Sequence, residues 1–404
     1  MIVMNSSRPG STLISTLRLP VLLVLLLLLC GGCAALPGKM IDYDPALING
    51  ERAFGEVVPA SEAGMAELTA ISPEMTRYLD NRVGDTRLAA SRFKRLMKSL
   101  SEDVYFTSTY NANKTFNASD TFAKKSGNCL SYTAMFIAMA RYAGMNARFQ
   151  IVGVPPSWDA DSGYLIRYTH INVLVTDVKR DRLGGDGRDF AVDFNAVHPD
   201  PEYSRKVVSD KYAEALFHAN RSVTSIRAGD ERKGLAHLRR AIELMPNNPD
   251  LWINLGAFYG KRDDFASAID AYEVGLSIDP GNKGAISGLS RAYAGTGDMA
   301  KAEFYGDQVK RYREKNAYYH FALAQAEFER ADYPQALAAI NTAIGLKRSN
   351  GRFYFMKALT EQKLGDLDAA RQSFRRAERY GRFRDLKLRY VNEFAGVDYA
   401  APGS

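Results

Sequence analysis

The hydrophobic pattern of the chain changes period several times along its length. Val21 to Leu29 is an unbroken run of Val and Leu, shorter than the roughly 20 apolar residues a spanning helix needs. Residues 33–72, with Pro37, Pro45 and Pro59, show no steady period and read as a tether. From Glu74 to about Leu100 apolar residues recur at helical spacing: Met75, Tyr78, Leu79, Val83, Leu88, Phe93, Leu96 and Met97. Thr107–Lys125 is polar, rich in Asn, Thr and Ser, and reads as loop. Leu130 to Ala143 is apolar almost all round, which predicts a buried central helix. Asn128 is a good N-cap for it, and Gly144 suits the position after its end. Three strands are expected at Ala147–Val154, Tyr168–Val178 and Phe190–Val197, with Gly184-Gly185-Asp186-Gly187 in the turn between the last two. These elements predict an α+β domain over 73–205, a central helix packed on a small antiparallel sheet.

Beyond it the chain acquires a long period. Repeat starts near Ala215, Pro249, Lys283, Ala317 and Gly351 are each 34 residues apart, which gives about five repeats over 213–384 and a tail at 385–404. In the second unit Trp252, Leu255, Gly256, Tyr259, Ala268, Tyr272 and Pro280 fall at offsets 4, 7, 8, 11, 20, 24 and 32. Offset 20 is small in every unit: Gly234, Ala268, Ala302, Ala336 and Ala370. This pattern resembles the tetratricopeptide repeat. The resemblance implies helix pairs stacked into an all-α solenoid with a concave groove. It also implies that offsets 2, 5, 9 and 12 line that groove. Those positions are Tyr318, Phe321, Gln325 and Phe328 in the fourth unit, and Phe355 and Leu359 at offsets 5 and 9 of the fifth. Aromatics in a groove suit a protein or peptide partner; alternatively the next helix, or the chain's own tail, covers them.

Composition narrows the choices. Of 404 residues, 46% are apolar and 25% charged, which argues against a disordered or polytopic membrane chain. The net charge of +7 is a mild excess over this length and implies no nucleic acid. Cys30, Cys33 and Cys129 are too few for a disulfide framework. The five histidines have no metal-ligand spacing, and neither a metal nor a cofactor is implied.

Candidate chemistry gathers at Cys129. With Asn128 as N-cap it is the first helical residue, where unpaired backbone N–H groups and the helix dipole favour a thiolate. On the second strand His170 and Asn172 lie opposite the apolar face of Ile171, Val173 and Val175. On the third, Asp193 lies opposite Val192 and Phe194. A thiol nucleophile, a His base and an Asp that orients it are the three parts of thiol catalysis. His198, ahead of Pro199, is the rival base.

The segments Gly127-Asn128-Cys129-Leu130-Ser131, Ala140-Arg141-Tyr142-Ala143-Gly144-Met145, Thr169-His170-Ile171-Asn172-Val173 and Ala191-Val192-Asp193-Phe194 resemble the transglutaminase-like superfamily, which shares its logic with papain-like thiol enzymes. The resemblance implies that Cys129 attacks an amide carbonyl, that His170 is base and then acid, and that Asp193 orients the imidazole. It also implies that the Cys129 backbone N–H and a nearby polar side chain hold the oxyanion. Two departures stand out: Asn172 replaces the Trp common two residues after the His, and Phe194 replaces the Pro common after the Asp. Two functions are therefore carried forward. One is an anchored thiol hydrolase or transamidase acting on peptide or isopeptide bonds, with repeats that recruit its substrate. The other is a non-catalytic scaffold whose repeats bind a partner.

The N-terminus reads as an address. Arg8 and Arg18 precede the Val/Leu run, and Gly31-Gly32-Cys33 follows it. This resembles a bacterial lipoprotein signal over residues 1–32, which implies cleavage before Cys33 and a lipid on its sulfur; a plain signal peptide or an uncleaved anchor is the alternative. Ala34, not Asp, follows Cys33, which by the same resemblance implies an outer-membrane lipoprotein facing the periplasm. Intact-mass spectrometry is expected to show a lipidated chain beginning at Cys33. A Cys33→Ser form still processed and membrane-bound contradicts that expectation.

Overall fold

The computed structural model describes residues 2–3 and 41–380, apart from 63, 86–87, 104–108, 112, 154–156, 159–164, 167–169, 179–187 and 195–203. The chain divides into two compact units. The first comprises residues 1–153, 169–261 and 273–280, and the second 154–168, 262–272 and 281–404.

In the first unit, three short helices, α1 (Ala46–Asn49), α2 (Glu51–Phe54) and α3 (Met65–Leu68), precede α4 (Pro73–Arg82) and α5 (Ala89–Glu102). The helical stretch expected from 74 to 100 is thus two helices; Gly84, at φ +62°, lies in the break. Next come β2 (Thr109–Tyr110), α6 (Ala118–Lys124), β3 (Ser126–Gly127) and α7 (Cys129–Tyr142). The stretch read as loop therefore holds a strand and a helix. Asn117 caps that helix by accepting from the Asp120 N–H, and its apolar side is only Ala118 and Phe122, too short a stripe to show a period. Every residue of α7 from Leu130 to Ala140 is buried.

A five-stranded sheet packs on α7. Its order is β1 (Ile2–Val3), β8 (Arg188–Val192), β7 (His170–Val178), β4 (Asn146–Val152) and β9 (Arg205–Val207), antiparallel throughout; a chain cleaved before Cys33 keeps the last four. Ile171, Val173, Val175, Phe190 and Val192 enter one core with Phe136, Met139 and Phe149, so the period-2 alternation does place one face of each strand inward. Central helix and small antiparallel sheet are the α+β arrangement expected.

The helix pairs begin within this same unit. Ala213 and Phe217 of α8 (Asp210–Arg227) belong to the core around α7. Arg141 also grips Asp210 with two nitrogens, at 2.7 and 2.8 Å. The segment expected to be a tether is packed where it is described. Leu47, Ile48, Val58 and Leu68 are buried. The Tyr259 hydroxyl donates to the Leu47 carbonyl at 2.7 Å, and Tyr43 meets Trp252 edge to face at 4.8 Å.

Helices α9 (Glu231–Leu244), α10 (Pro249–Lys261), α11 (Phe265–Ile278), α12 (Lys283–Thr296), α13 (Met299–Glu314), α14 (Ala317–Glu329), α15 (Tyr333–Leu346), α16 (Gly351–Lys363) and α17 (Leu367–Tyr380) complete the array. The small offset-20 residues Ala268, Ala336 and Ala370 are at most 2% exposed, where antiparallel helices meet. In the second unit a two-stranded hairpin, β5 (Ser157–Trp158) with β6 (Leu165–Ile166), lies against α12 and α14.

One buried polar pair joins α8 to α9. His218 and His237 approach Nδ1 to Nδ1 at 3.0 Å, both buried. Burial, then the charges of His218, Arg221 and Lys233, push His237 down to about 4. An unfolded His titrates near 6.5. Between those two values the unfolded chain binds a proton that the folded chain refuses, so stability falls as pH falls from about 6.5 towards 4, then levels. The melting temperature is expected to drop across that window, and His237→Asn to flatten the drop. An unchanged slope in the variant would assign the drop to other groups.

Candidate active site

The site is built at the start of α7. The Asn128 side chain accepts from the Ser131 N–H at 3.0 Å, the expected cap. It also accepts the Ser131 hydroxyl at 3.0 Å and donates to Thr115 Oγ1 at 2.6 Å. Ser131 Oγ in turn accepts the Phe116 N–H at 2.9 Å. Thr115, Asn128 and Ser131 are all buried, and a satisfied buried network of this kind fixes geometry. Gly127 is needed here: a Cβ would lie 2.6 Å from the Ser131 Cβ. β2 and β3 pair in parallel with Tyr110 opposite Gly127, and the Asn111 N–H donates to the Gly127 carbonyl at 3.0 Å. This short ladder brings Tyr110 beside Cys129.

The structure brings Cys129, His170 and Asp193 together. His170 begins β7, and Asp193 follows β8. The His170 Nε2–H donates to Asp193 Oδ2 at 2.7 Å. Their side chains are 7% and 10% exposed. With Nε2 engaged by Asp193, Nδ1 is the ring nitrogen left for the neighbouring Cys129. Burial alone would push the imidazole down. The bond to Asp193, the adjacent Cys129 side chain and the negative charge of both outweigh it and hold His170 up at about 10. The ring therefore carries a proton at neutral pH, next to the sulfur. Cys129 is partly exposed, beside the largely buried His170–Asp193 pair.

Two further residues touch the site. The Tyr110 hydroxyl lies against Cys129, whose backbone N–H and side chain both act on it. Burial and the neighbouring Cys129 hold the phenol up at about 12, so it stays a donor. Tyr110 lies in the stretch read as loop, and only the pairing of two short strands reveals it. The Asn172 Nδ2 donates to the same Asp193 Oδ2 at 3.1 Å. His198 and Cys33 lie outside the described residues. Among the described residues no cluster of three or more His, Cys, Asp or Glu could hold a metal, and no helix is long and apolar enough to cross a membrane.

The groove candidates are placed differently from one another. Phe321 stacks on Phe353 of the following repeat at 5.1 Å, and Tyr318 meets the same ring edge-on at 5.5 Å. Phe328 packs on Tyr333 at 5.3 Å. These three join the core between repeats. Phe355 and Leu359 are half-buried, and Gln325 is exposed. Tyr318, Phe321 and Phe328, like Phe355 and Leu359, are half-buried: each packs on a neighbouring ring and keeps part of its surface exposed.

Residues 76–177 match the transglutaminase-like superfamily, and 261–326 and 321–383 match two tetratricopeptide repeat families. The chain thus carries a transglutaminase-like core domain followed by tetratricopeptide repeats. Curated relatives include a protein adenylyltransferase fic-1 of Caenorhabditis briggsae, 30% identical over 87 residues, which are 22% of this chain and 17% of that one. An Hsp70-Hsp90 organizing protein of Triticum aestivum is 35% identical over 80 residues, 20% of this chain and 14% of that one. The chain spans less than a fifth of the length of either. Among solved structures, MamA is 17% identical with a TM-score of 0.24, over 47% of this chain and 98% of that one. YrrB, described as a tetratricopeptide protein with an unusual peptide-binding site, is 14% identical with a TM-score of 0.23, over 44% and 92%.

Asn128→Ala removes the cap and orphans Thr115 and Ser131. It is expected to lower stability by about 1–2 kcal/mol, read in a urea titration. An unchanged midpoint would mean the network does not fix the start of α7.

Proposed function

We propose that the transglutaminase-like domain is a thiol acyl transferase, a hydrolase or transamidase acting on peptide or isopeptide bonds. The observation that carries this reading is the constellation of a partly exposed Cys129 at a capped helix start, beside a His170 whose Nε2 is held by Asp193. In this reading the Cys129 sulfur, as thiolate, attacks the amide carbonyl carbon and forms a C–S bond. The carbonyl electrons move onto oxygen, where the Cys129 N–H and the Tyr110 hydroxyl receive the charge. The C–N bond then breaks, and the amine leaves with the proton from His170 Nδ1. Water or a second amine attacks the thioester, His170 takes its proton, and the sulfur leaves as thiolate. Asp193 holds the ring throughout and keeps Nδ1 towards the sulfur.

The repeats recruit a protein or peptide partner, as the tetratricopeptide matches support. The leader and Cys33 support a lipid anchor in the cell envelope, at the outer membrane and facing the periplasm. No cofactor enters this mechanism.

Hydroxamate formation from a mixed peptide pool, with hydroxylamine as acceptor, tests the reading. Cys129→Ala is expected to abolish it and His170→Ala to do nearly the same, while Asp193→Ala slows it less. Tyr110→Phe removes one oxyanion donor and is expected to reduce turnover by about 10²–10³-fold. Undiminished turnover in Cys129→Ala would place the chemistry elsewhere, and no hydroxamate from the wild type would favour the scaffold.

A further inference from the structure

Asp193 needs an anchor. It lies one residue beyond β8 (Arg188–Val192), past the last ladder pair between Val173 and Val192. Its carboxylate direction is therefore set by side chains, and Asn172 supplies one such contact, the 3.1 Å bond from Nδ2 to Oδ2. That oxygen is the one that accepts His170 Nε2–H at 2.7 Å. The sense of the amide is fixed chemically, because a carboxylate offers only acceptors.

This placement is unfavourable for the fold on another count. Asn172 is 2% exposed, and its Oδ1 is buried with no hydrogen-bond partner among the described residues. Directly across the β4–β7 ladder stands Gln150, 6% exposed, whose Oε1 is likewise buried without a partner. Two orphan carbonyl oxygens thus face the same side of the sheet on paired residues. Each such group is destabilising, and a branched aliphatic residue at 172 would suit a buried strand better. What the amide adds is its N–H on Asp193.

We propose that Asn172 is a positioning residue of the triad, holding the Asp193 carboxylate at the angle from which it grips the His170 ring; this rests on the thiol-transfer reading above. Asn172 touches neither the sulfur nor the reacting carbonyl and acts through Asp193. Tyr110 and Cys129 are the other titratable groups described around this cluster.

The test is the rate of iodoacetamide alkylation of Cys129 in the full-length mature protein as a function of pH, with the site resolved by peptide mass and the melting temperature measured beside it. Asn172→Leu is expected to melt no lower than wild type. Its alkylation profile should move to higher pH, towards that of His170→Ala, with a loss of about tenfold in rate at neutral pH, one pH unit of displacement. Asn172→Ala should move the profile the same way and serves if the leucine form does not fold. In an Asp193→Ala background, Asn172→Leu should add nothing. A wild-type profile in both Asn172 variants, or a full further loss in the Asp193→Ala background, overturns the inference. If His170→Ala itself keeps the wild-type profile, the thiol-transfer reading fails; if it shifts and the Asn172 variants do not, only the role of Asn172 fails.

Discussion

The hydrogen bond between His170 and Asp193 is the interaction on which the site depends. Both side chains are largely buried, and removing one partner of a buried pair strands the other. Asp193 settles three things at once: which ring nitrogen faces the thiol, which way the ring is turned, and that the ring keeps its proton despite burial. Without it, desolvation would leave a neutral imidazole free to turn, and the sulfur would have no cation beside it. The alternation of β7 and β8 exists in this light to do two jobs. One face carries Ile171, Val173 and Val192 into the core, and the other face of β7 delivers His170 and Asn172 to Asp193, just past the end of β8.

The second constraint is the start of α7. Gly127, Asn128, Thr115 and Ser131 form a tight polar knot, in which Asn128 bonds to both Thr115 and Ser131. The knot sets where the helix begins, and so where Cys129 stands relative to the strand bearing His170. It also presents the Gly127 edge to which Tyr110 pairs. Cys129 and Tyr110 are thereby placed by one short parallel ladder and one cap.

Much of this was legible in the sequence because it rests on local rules. The cap at Asn128, the all-round apolar helix behind it and the period-2 strands each follow from neighbours within a few residues. The small residues every 34 positions follow from a repeated packing geometry. What escaped was set by distant contacts. Tyr110 belongs to a two-residue strand too short to alternate, and its meaning comes from pairing with Gly127. Asn172 reads as one more polar strand residue until Asp193 is seen against it. Residues 41–68 lack a period because they pack as short turns on the helix pairs, through contacts such as Tyr259 to Leu47 across 212 positions. Phe321 and Phe328 sit at groove offsets, yet large rings there reach the next packed element.

The most direct measurement is a nitrogen-15 NMR titration of His170 in the intact protein. The account predicts a ring that stays protonated well past the ordinary imidazole range near 6.5 and releases its proton only near about 10, with Nε2 carrying the hydrogen-bonded proton throughout. A ring already neutral at about pH 7, or one that titrates like a free imidazole, would contradict it.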